Sequence, residues 1–392
     1  MLEKNTQIAK KDIFLRNAAF TFMIGFLLYH LFPFPPIIWR LGLVITSLIG
    51  LCFHIQNYKF VKTERAMLCF LIINIIYYII SFIWQTPEST NFGDVLCVTL
   101  PLFLFYYLSV RGAVSDKSLQ MFLVIVAIAA VSYFYHAESL LLIDLYHAES
   151  GEITNNASVI FLVLIPLLFF VKNKPLFFIL MAEICYFILN GAKRGNIVAA
   201  IIPLLLVSIN QVRFHSSKYS KFILIIAFFA LSLYAYNMSV NNEYLMKRIE
   251  QTYEGDTSNR DVIYERAWHT WHDSEHFKNI ILGYGTDGTV REMGGRAHND
   301  WLEILVNFGI LGVVFYFIFF VSLFQTVLKL WKTDRETTNV LLSVLCIWFL
   351  KSLFSMGFTE NLFSYLSMAI GIALGRLHRR PEEDSRILGK EL

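Results

Sequence analysis

The stretch that decides the fold is GGRAHNDWLE, residues 294–303, which runs directly into an apolar segment at residues 304–328. Polar and titratable side chains here adjoin a segment long enough to cross a bilayer. Burying them in hydrocarbon would cost several kcal/mol each unless they are solvated, paired or used. The stretch is therefore predicted to lie at a membrane interface.

The composition places the whole chain in the membrane class. Of its 392 residues, 56% are hydrophobic and 16% are charged, which is far more apolar than an average soluble domain. The net charge of +3 is small and its basic residues follow the loops, so nucleic acid is not expected as a partner. The polar start at residues 1–11 leads into a full-length apolar run, which argues against a cleavable signal peptide. All five cysteines lie in apolar runs, which argues against disulfides and thiolate metal sites.

Apolar segments near the ~20 residues needed to span a bilayer predict an all-α, polytopic bundle of about twelve helices. The segments are residues 14–32, 37–54, 66–84, 94–110, 119–135, 156–171, 175–190, 196–210, 221–237, 303–328, 340–358 and 362–377. The short seventh and eighth segments also fit a re-entrant pair, and residues 140–146 also fit a helix on the membrane surface.

The distribution of lysine and arginine predicts the orientation. Alternate segments, from residues 4–16 to residues 376–380, carry the cations and are expected in the cytoplasm, while residues 85–94 and 136–156 carry neither lysine nor arginine. Both termini are then cytoplasmic. The chain divides into helices 1–9 at residues 1–237, an external cap loop between helices 9 and 10 at residues 238–302, and helices 10–12 with a cytoplasmic tail at residues 303–392. Within the cap loop, residues 261–277 fit an amphipathic helix.

One short outer connection breaks the charge rule. NGAKRGN, residues 190–196, places Lys193 and Arg194 on the external side, which indicates an external anion that needs them. The alternative is a pair that snorkels to lipid phosphates. Arg260 and Arg266 lie in the cap loop, and two such cationic elements facing one cavity would suit a diphosphate, because arginine pairs bidentately with phosphate oxygens.

His298 is the residue of the opening stretch that can accept and donate a proton near neutral pH. Transfer of a glycosyl group to a sugar hydroxyl needs such a group to receive the hydroxyl proton. The alternative is a structural histidine at a helix start, with Asn299 or Asp300 as the helix N-cap.

Other polar features allow a structural and a functional interpretation. The sequence YHAES occurs at residues 135–139 and 146–150, and its histidines and glutamates fit a metal site or, as we favour, a solvated helix face. Glu183 and Lys351 lie inside apolar segments, where they could pair with each other, face a polar cavity or form a proton relay. Three further charges near helix ends are expected to be solvated: Arg40, Asp94 and Glu360.

The residues around His298 resemble the O-antigen ligase and O-antigen polymerase family. His298 and Asn299, followed after nine residues by GILG at 309–312, are similar to the family pattern of histidine, a polar residue, nine residues, glycine, two residues and a small residue. The LGYG turn at 282–285, the NRD stretch at 259–261 and the KRG turn at 193–195 resemble the motifs that surround it. These motifs cover roughly residues 190–315, and the first half of the chain matches only as a succession of apolar helices.

The resemblance implies a membrane glycosyltransferase of the GT-C-like type in the bacterial inner membrane, with its active site in the periplasm and no cofactor, metal or nucleotide sugar. Its donor would be a glycan on undecaprenyl diphosphate. His298 would be the catalytic base, and Arg194, Arg260 and Lys193 would bind the diphosphate. Asn299, Asp300, Gly309 and Gly312 would support the motif, with Arg266 and Arg296 as further cations near the site.

The resemblance leaves the acceptor open. A polymerase would extend another lipid-linked repeat unit, and a ligase would transfer the chain to lipid A core; likeness of the KRG and AHND stretches to capsule and O-antigen polymerases favours a polymerase. A transporter or flippase of lipid-linked sugars would bind the same diphosphate without cleaving it. A non-catalytic assembly partner would leave His298 without a role.

Overall fold

The computed structural model describes residues 9–84, 91–146, 155–214 and 260–388, together with Asn237, and its regular structure in these ranges is helical. Eight helices lie in the described residues up to 214: α1 (Lys10–Leu27), α2 (Pro36–Asn57), α3 (Lys62–Trp84), α4 (Asn91–Val110), α5 (Asp116–Tyr146), α6 (Val159–Leu164), α7 (Lys174–Asn190) and α8 (Arg194–Phe214). Six follow in the second part: α9 (Arg260–His272), α10 (Phe277–Leu282), α11 (Gly288–Met293), α12 (Asp300–Leu330), α13 (Arg335–Phe354) and α14 (Ser364–Leu388).

Seven helices in the described ranges are long and apolar enough to cross a membrane. They are Pro36–Asn57, Lys62–Ser81, Phe92–Val110, Asp116–Leu141, Arg194–Gln211, Asp300–Leu330 and Arg335–Phe354. The all-α, multi-pass architecture is therefore confirmed, whereas the number twelve is not established. The predicted ninth helix at 221–237 and most of the cap loop before Arg260 lie outside the described residues.

Three predicted segments differ from the observed helices. The segment at 156–171 is a 3₁₀ turn (Asn156–Ser158), the short helix α6 and a second 3₁₀ helix (Ile165–Phe170), because Pro166 has no N–H with which to continue the α-helical hydrogen bonds. Residues 140–146, considered for a surface helix, instead continue α5 without a break to Tyr146. In the cap region the expected amphipathic helix is shorter than predicted and ends at His272.

Helix α4 forms the centre of the bundle, with side chains from Leu102 to Leu108 fully or almost fully buried. Helix α14 packs closely along it because its glycines allow the backbones to approach. A Cβ atom at Gly371 would lie 2.3 Å from the Leu102 carbonyl oxygen, and one at Gly375 would lie 2.6 Å from that of Tyr106. Small residues spaced four apart are a common means of packing membrane helices without polar contacts.

The charges near helix ends are less solvated than expected. Arg40 Nη1 and Asp94 Oδ1 form an ion pair at 2.8 Å, so the prediction that both are simply solvated is wrong. Glu360 is half-buried in the connection between α13 and α14. The pairing of Glu183 with Lys351 is also wrong, because Lys351 Nζ donates to Asn196 Oδ1 at 2.9 Å while Glu183 lines a small, mostly apolar cavity.

Candidate active site

His298 lies in the turn that leads into α12, and its backbone is in the left-handed region with φ of +53°. Residues other than glycine rarely adopt this conformation. The next residue, Asn299, is the N-cap of α12: its Oδ1 accepts hydrogen bonds from the backbone N–H groups of Trp301 (2.9 Å) and Leu302 (3.2 Å). The cap and the strained backbone together leave the His298 side chain exposed at the start of the helix.

Glu303 fixes the chain on the other side of His298. Its carboxylate is buried and accepts hydrogen bonds from the Ala297 backbone N–H at 2.8 Å and from the Thr289 hydroxyl at 2.6 Å. Arg296 Nη1 lies 3.9 Å from the same carboxylate. Since Glu303 lies one turn into α12, these bonds hold the residues just before His298 against the helix that follows it.

Asp300 connects the start of α12 to the segment after α13. Its fully buried carboxylate accepts hydrogen bonds from the backbone N–H groups of Gly357 (2.7 Å) and Phe358 (3.3 Å) and from the Tyr316 hydroxyl (2.6 Å). With its oxygens occupied in this way, Asp300 positions the backbone beneath His298 rather than presenting a free carboxylate to a substrate.

Helix α9 reaches the same point from the cap. The Tyr264 hydroxyl donates to the Leu353 carbonyl at 3.2 Å, and Asn299 Nδ2 donates to the same oxygen at 3.0 Å. Arg260 is the first residue of α9, one helical turn before Tyr264. The shared Leu353 carbonyl therefore brings the arginine end of α9, the N-cap of α12 and the end of α13 together.

Gly283 and Gly309 allow the turn at 282–285 to pair with an interruption in α12. Gly309 interrupts α12 with φ of +63° and ψ of −163°, and Gly283 has φ of +69° and ψ of −169°; only glycine adopts this region readily. The interruption frees the carbonyls of Val306 and Asn307, which accept hydrogen bonds from the N–H groups of Tyr284 (2.9 Å) and Gly285 (2.8 Å).

The two chain segments touch at these glycines. A Cβ at Gly309 would lie 2.4 Å from the Ile281 carbonyl, and one at Gly283 would lie 2.5 Å from the Asn307 carbonyl. Gly312 follows on α12, where a Cβ would lie 2.4 Å from Cβ of Phe308. The turn at 282–285 and the glycines at 309 and 312 thus serve packing around His298.

The connection between α7 and α8 supplies a further cation. Ala192 is left-handed with φ of +47°, and the Gly191 carbonyl accepts from the Asn155 N–H at 3.1 Å. Lys193 Nζ donates to Asn156 Oδ1 at 2.7 Å, which fixes the position of its ammonium group. Arg194 begins α8 and is half-buried.

Electrostatics link these elements at His298. Neighbouring residues partly shield the His298 imidazole from water, which lowers its pKa below the ordinary value, and the positive charges of Arg260, Lys193 and Arg296 lower the pKa further. Burial likewise lowers the pKa of Lys193, with the Arg260 charge adding to this effect and Glu360 opposing it. Cations from the α7–α8 turn, from the start of α9 and from the stretch before α12 therefore act together on an imidazole that is neutral at pH 7.

Arg266 has a different position. Its side chain is exposed, and its Nη1 donates to the Met293 carbonyl at 3.5 Å, so it links α9 to the end of α11. The neighbouring Glu265 Oε1 lies 3.9 Å from His269 Nε2. Of the first YHAES copy, His136 stacks on His30 with ring centroids 4.3 Å apart, and the second copy lies mostly outside the described residues.

Three residues near the site were not assigned to it from the sequence: Tyr264, Glu303 and Glu360. Glu303 was visible as an acidic residue at the start of an apolar segment, which is a signal that sequence reasoning can use. Tyr264 and Glu360 carry no such signal, because their place near His298 depends on how α9 and the α13–α14 connection pack.

The arrangement defines a class: a multi-pass helical membrane protein with a cationic, histidine-bearing site at the ends of its helices. Residues 176–317 match the family described as O-antigen ligase. This range includes the α7–α8 turn, the start of α9 and the whole histidine motif, so the resemblance to the O-antigen ligase and polymerase family is confirmed over these residues. No individual curated protein matches the chain. The match supports, at a coarse level, a membrane glycosyltransferase of the O-antigen ligase or polymerase type that uses lipid-linked polysaccharide.

Proposed function

We propose that the protein is an inner-membrane glycosyltransferase that transfers a glycan from undecaprenyl diphosphate to a sugar hydroxyl on the periplasmic face. The observation that carries the proposal is the convergence of Lys193, Arg260 and Arg296 on His298 from three separate parts of the chain. Such a concentration of positive charge is costly at the edge of an apolar bundle and is offset by an anionic ligand. A diphosphate has the charge and the oxygen acceptors that lysine and arginine bind best.

His298 has the properties of a general base. Its exposed imidazole is neutral at pH 7 and has a lone pair that can accept a proton. The surrounding cations make it a weak base while the site is empty. A bound diphosphate would offset the charges of Lys193 and Arg260, so the basicity of His298 would rise when the donor is in place.

The proposed reaction is a single displacement with inversion and needs no metal. The acceptor hydroxyl oxygen attacks the anomeric carbon, the bond from that carbon to the diphosphate oxygen breaks, and the lipid diphosphate leaves with the electron pair. His298 takes the hydroxyl proton, a role worth typically ~10²- to 10⁴-fold in rate. Lys193, Arg194 and Arg260 stabilise the negative charge that develops on the leaving diphosphate.

For the acceptor we favour a second lipid-linked repeat unit, which makes the protein a polymerase of O-antigen or capsular polysaccharide. The alternative is lipid A core, the acceptor of a ligase. The test incubates purified protein with lipid-linked repeat units, with and without lipid A core. Longer lipid-linked chains would support the polymerase, core-linked glycan would support the ligase, and transport without any new glycosidic bond would refute both.

The proposed orientation has its own test. Glu275 is exposed in the cap region between α9 and α10, and Lys332 is exposed in the connection between α12 and α13. Cysteine at position 275 should react with a membrane-impermeant thiol reagent added to intact spheroplasts, and cysteine at position 332 should react only after permeabilisation. Labelling of the wild-type protein gives the background from the five native cysteines. The reverse pattern would contradict a periplasmic site.

A further inference from the structure

Lys351 is a buried cation that the proposed reaction has not yet used. It lies near the end of α13 with a side chain only 2% exposed, and its Nζ donates to Asn196 Oδ1 at 2.9 Å. An ammonium group has three N–H donors. Within the described ranges, no carboxylate oxygen lies within 4.0 Å of this nitrogen. A buried ammonium that lacks a close counter-ion is costly, and its retention indicates a use.

The position of Lys351 relates it to the candidate site. The Leu353 carbonyl, two residues further along α13, accepts the hydrogen bonds from Tyr264 and Asn299. The hydroxyl of the intervening Ser352 accepts from Trp301 Nε1 at 3.0 Å. Lys351 therefore immediately precedes, in α13, the two residues that contact α9 and the start of α12.

Asn196 connects Lys351 to the cationic turn. It lies two residues after Arg194 in the first turn of α8, is fully buried, and donates through Nδ2 to the Ser158 hydroxyl at 2.8 Å. The amide is thus held from one side by Ser158 and presents its oxygen to Lys351 on the other. This arrangement fixes the direction of the lysine side chain beneath the α7–α8 turn.

The charges around Lys351 do not balance within the protein. Lys193 and Arg260 repel its ammonium group, while Glu360 and Asp300 attract it. The Asp300 oxygens are already occupied by two backbone N–H groups and the Tyr316 hydroxyl. Burial raises the pKa of Glu360, which weakens it as a counter-ion. Three cations, Lys351, Lys193 and Arg260, therefore face two carboxylates, one of which is held by other donors, and an added anion would correct the imbalance.

We propose that Lys351 is a further diphosphate-binding residue, which contacts the phosphate oxygens from the membrane side while Lys193 and Arg260 contact them from the cap side. The ligand class is a lipid diphosphate. This inference rests on the proposed function, since it assigns a residue to the same site. The competing role is purely structural, in which Lys351 only holds Asn196 and the start of α8 in place.

Two substitutions separate charge from hydrogen bonding. Lys351→Met removes the charge and the donor with little change in length, whereas Lys351→Gln removes the charge but keeps an N–H donor for Asn196. Lys332→Met is the matched control, because Lys332 is exposed in the connection between α12 and α13, away from the site. Each full-length variant is purified in detergent, its thermal unfolding is recorded, and its binding of farnesyl diphosphate and farnesyl monophosphate is measured.

Loss of a charge-assisted contact should weaken diphosphate binding roughly 10- to 100-fold. We expect this loss in both Lys351→Met and Lys351→Gln and not in Lys332→Met, with a smaller loss for the monophosphate. Wild-type affinity in Lys351→Gln would overturn the proposal and leave the structural role, and this variant decides the question if Lys351→Met does not fold.

The Arg260→Ala variant separates the role proposed for Lys351 from the diphosphate site itself. If it weakens binding while both Lys351 variants bind as wild type does, the assignment of Lys351 fails and the proposed function stands. If the wild-type protein binds neither ligand, the diphosphate site itself is refuted, and the role of Lys351 fails with it.

Discussion

Replacing Gly309 by Ala tests whether the interruption of α12 builds the site. The added Cβ would lie 2.4 Å from the carbonyl carbon and oxygen of Ile281, and φ of +63° with ψ of −163° is a conformation that alanine avoids at a cost of about 1–3 kcal/mol. If the backbone straightens to relieve this, the bonds from Tyr284 and Gly285 are lost, at about 0.5–1.5 kcal/mol each. By either route we expect the free energy of unfolding to fall by about 1–3 kcal/mol.

The assay is thermal unfolding in detergent, followed by glycan transfer by the same preparation. The control is Gly93→Ala, since Gly93 lies in α4 and a Cβ there meets no heavy atom within 4 Å, so its free energy of unfolding should change by no more than about 0.5 kcal/mol. We expect Gly309→Ala to lose stability and transfer, while Gly93→Ala keeps both. A Gly309→Ala protein that unfolds at the wild-type temperature and transfers glycan at the wild-type rate would refute the structural role of the interruption.

Three further substitutions test separate parts of the site. Arg260→Ala should abolish transfer without removing the protein from the membrane, and Arg260→Lys should restore it only in part, because a point charge cannot replace the bidentate fork; full activity of the alanine protein would contradict the assignment. Lys193→Met removes a charge that lowers the pKa of His298. That pKa should rise towards its ordinary value, so the acidic fall in kcat/KM should move to higher pH. An unchanged pH profile would show that the Lys193 charge does not act on His298. In Asp300→Asn one carboxylate oxygen becomes an NH₂ group, which cannot accept a hydrogen bond from the three donors that contact Asp300. The free energy of unfolding, measured by thermal unfolding, should therefore fall by about 1–3 kcal/mol.

The sequence indicated much of the site through local patterns. His298, Asn299 and Gly309 follow the spacing of one sequence motif. Lys193 and Arg260 lie in two further motifs. All five could therefore be assigned to the site from the sequence. The N-cap at Asn299 could also be predicted, because capping depends only on the residue and the three that follow it.

Features that depend on tertiary packing could not be predicted in this way. The positive φ of Gly309 is explained only by tertiary packing, because Gly283, in the turn at 282–285, packs directly against Gly309. The burial of Lys351 follows from the packing of α13 against α8, and a hydropathy window reports only a charge inside an apolar segment. Pro166 was a local signal for the broken sixth segment, but the window average concealed it.

The most direct test of the account compares wild-type protein with His298→Ala and His298→Gln in a defined transfer assay. Purified protein is incubated with lipid-linked repeat units, with and without lipid A core, and new glycan and bound donor are both measured. We expect the variants to form no new glycosidic bond yet to bind the lipid diphosphate donor, because Lys193 and Arg260 hold it. Wild-type amounts of product from His298→Ala would contradict the proposed base.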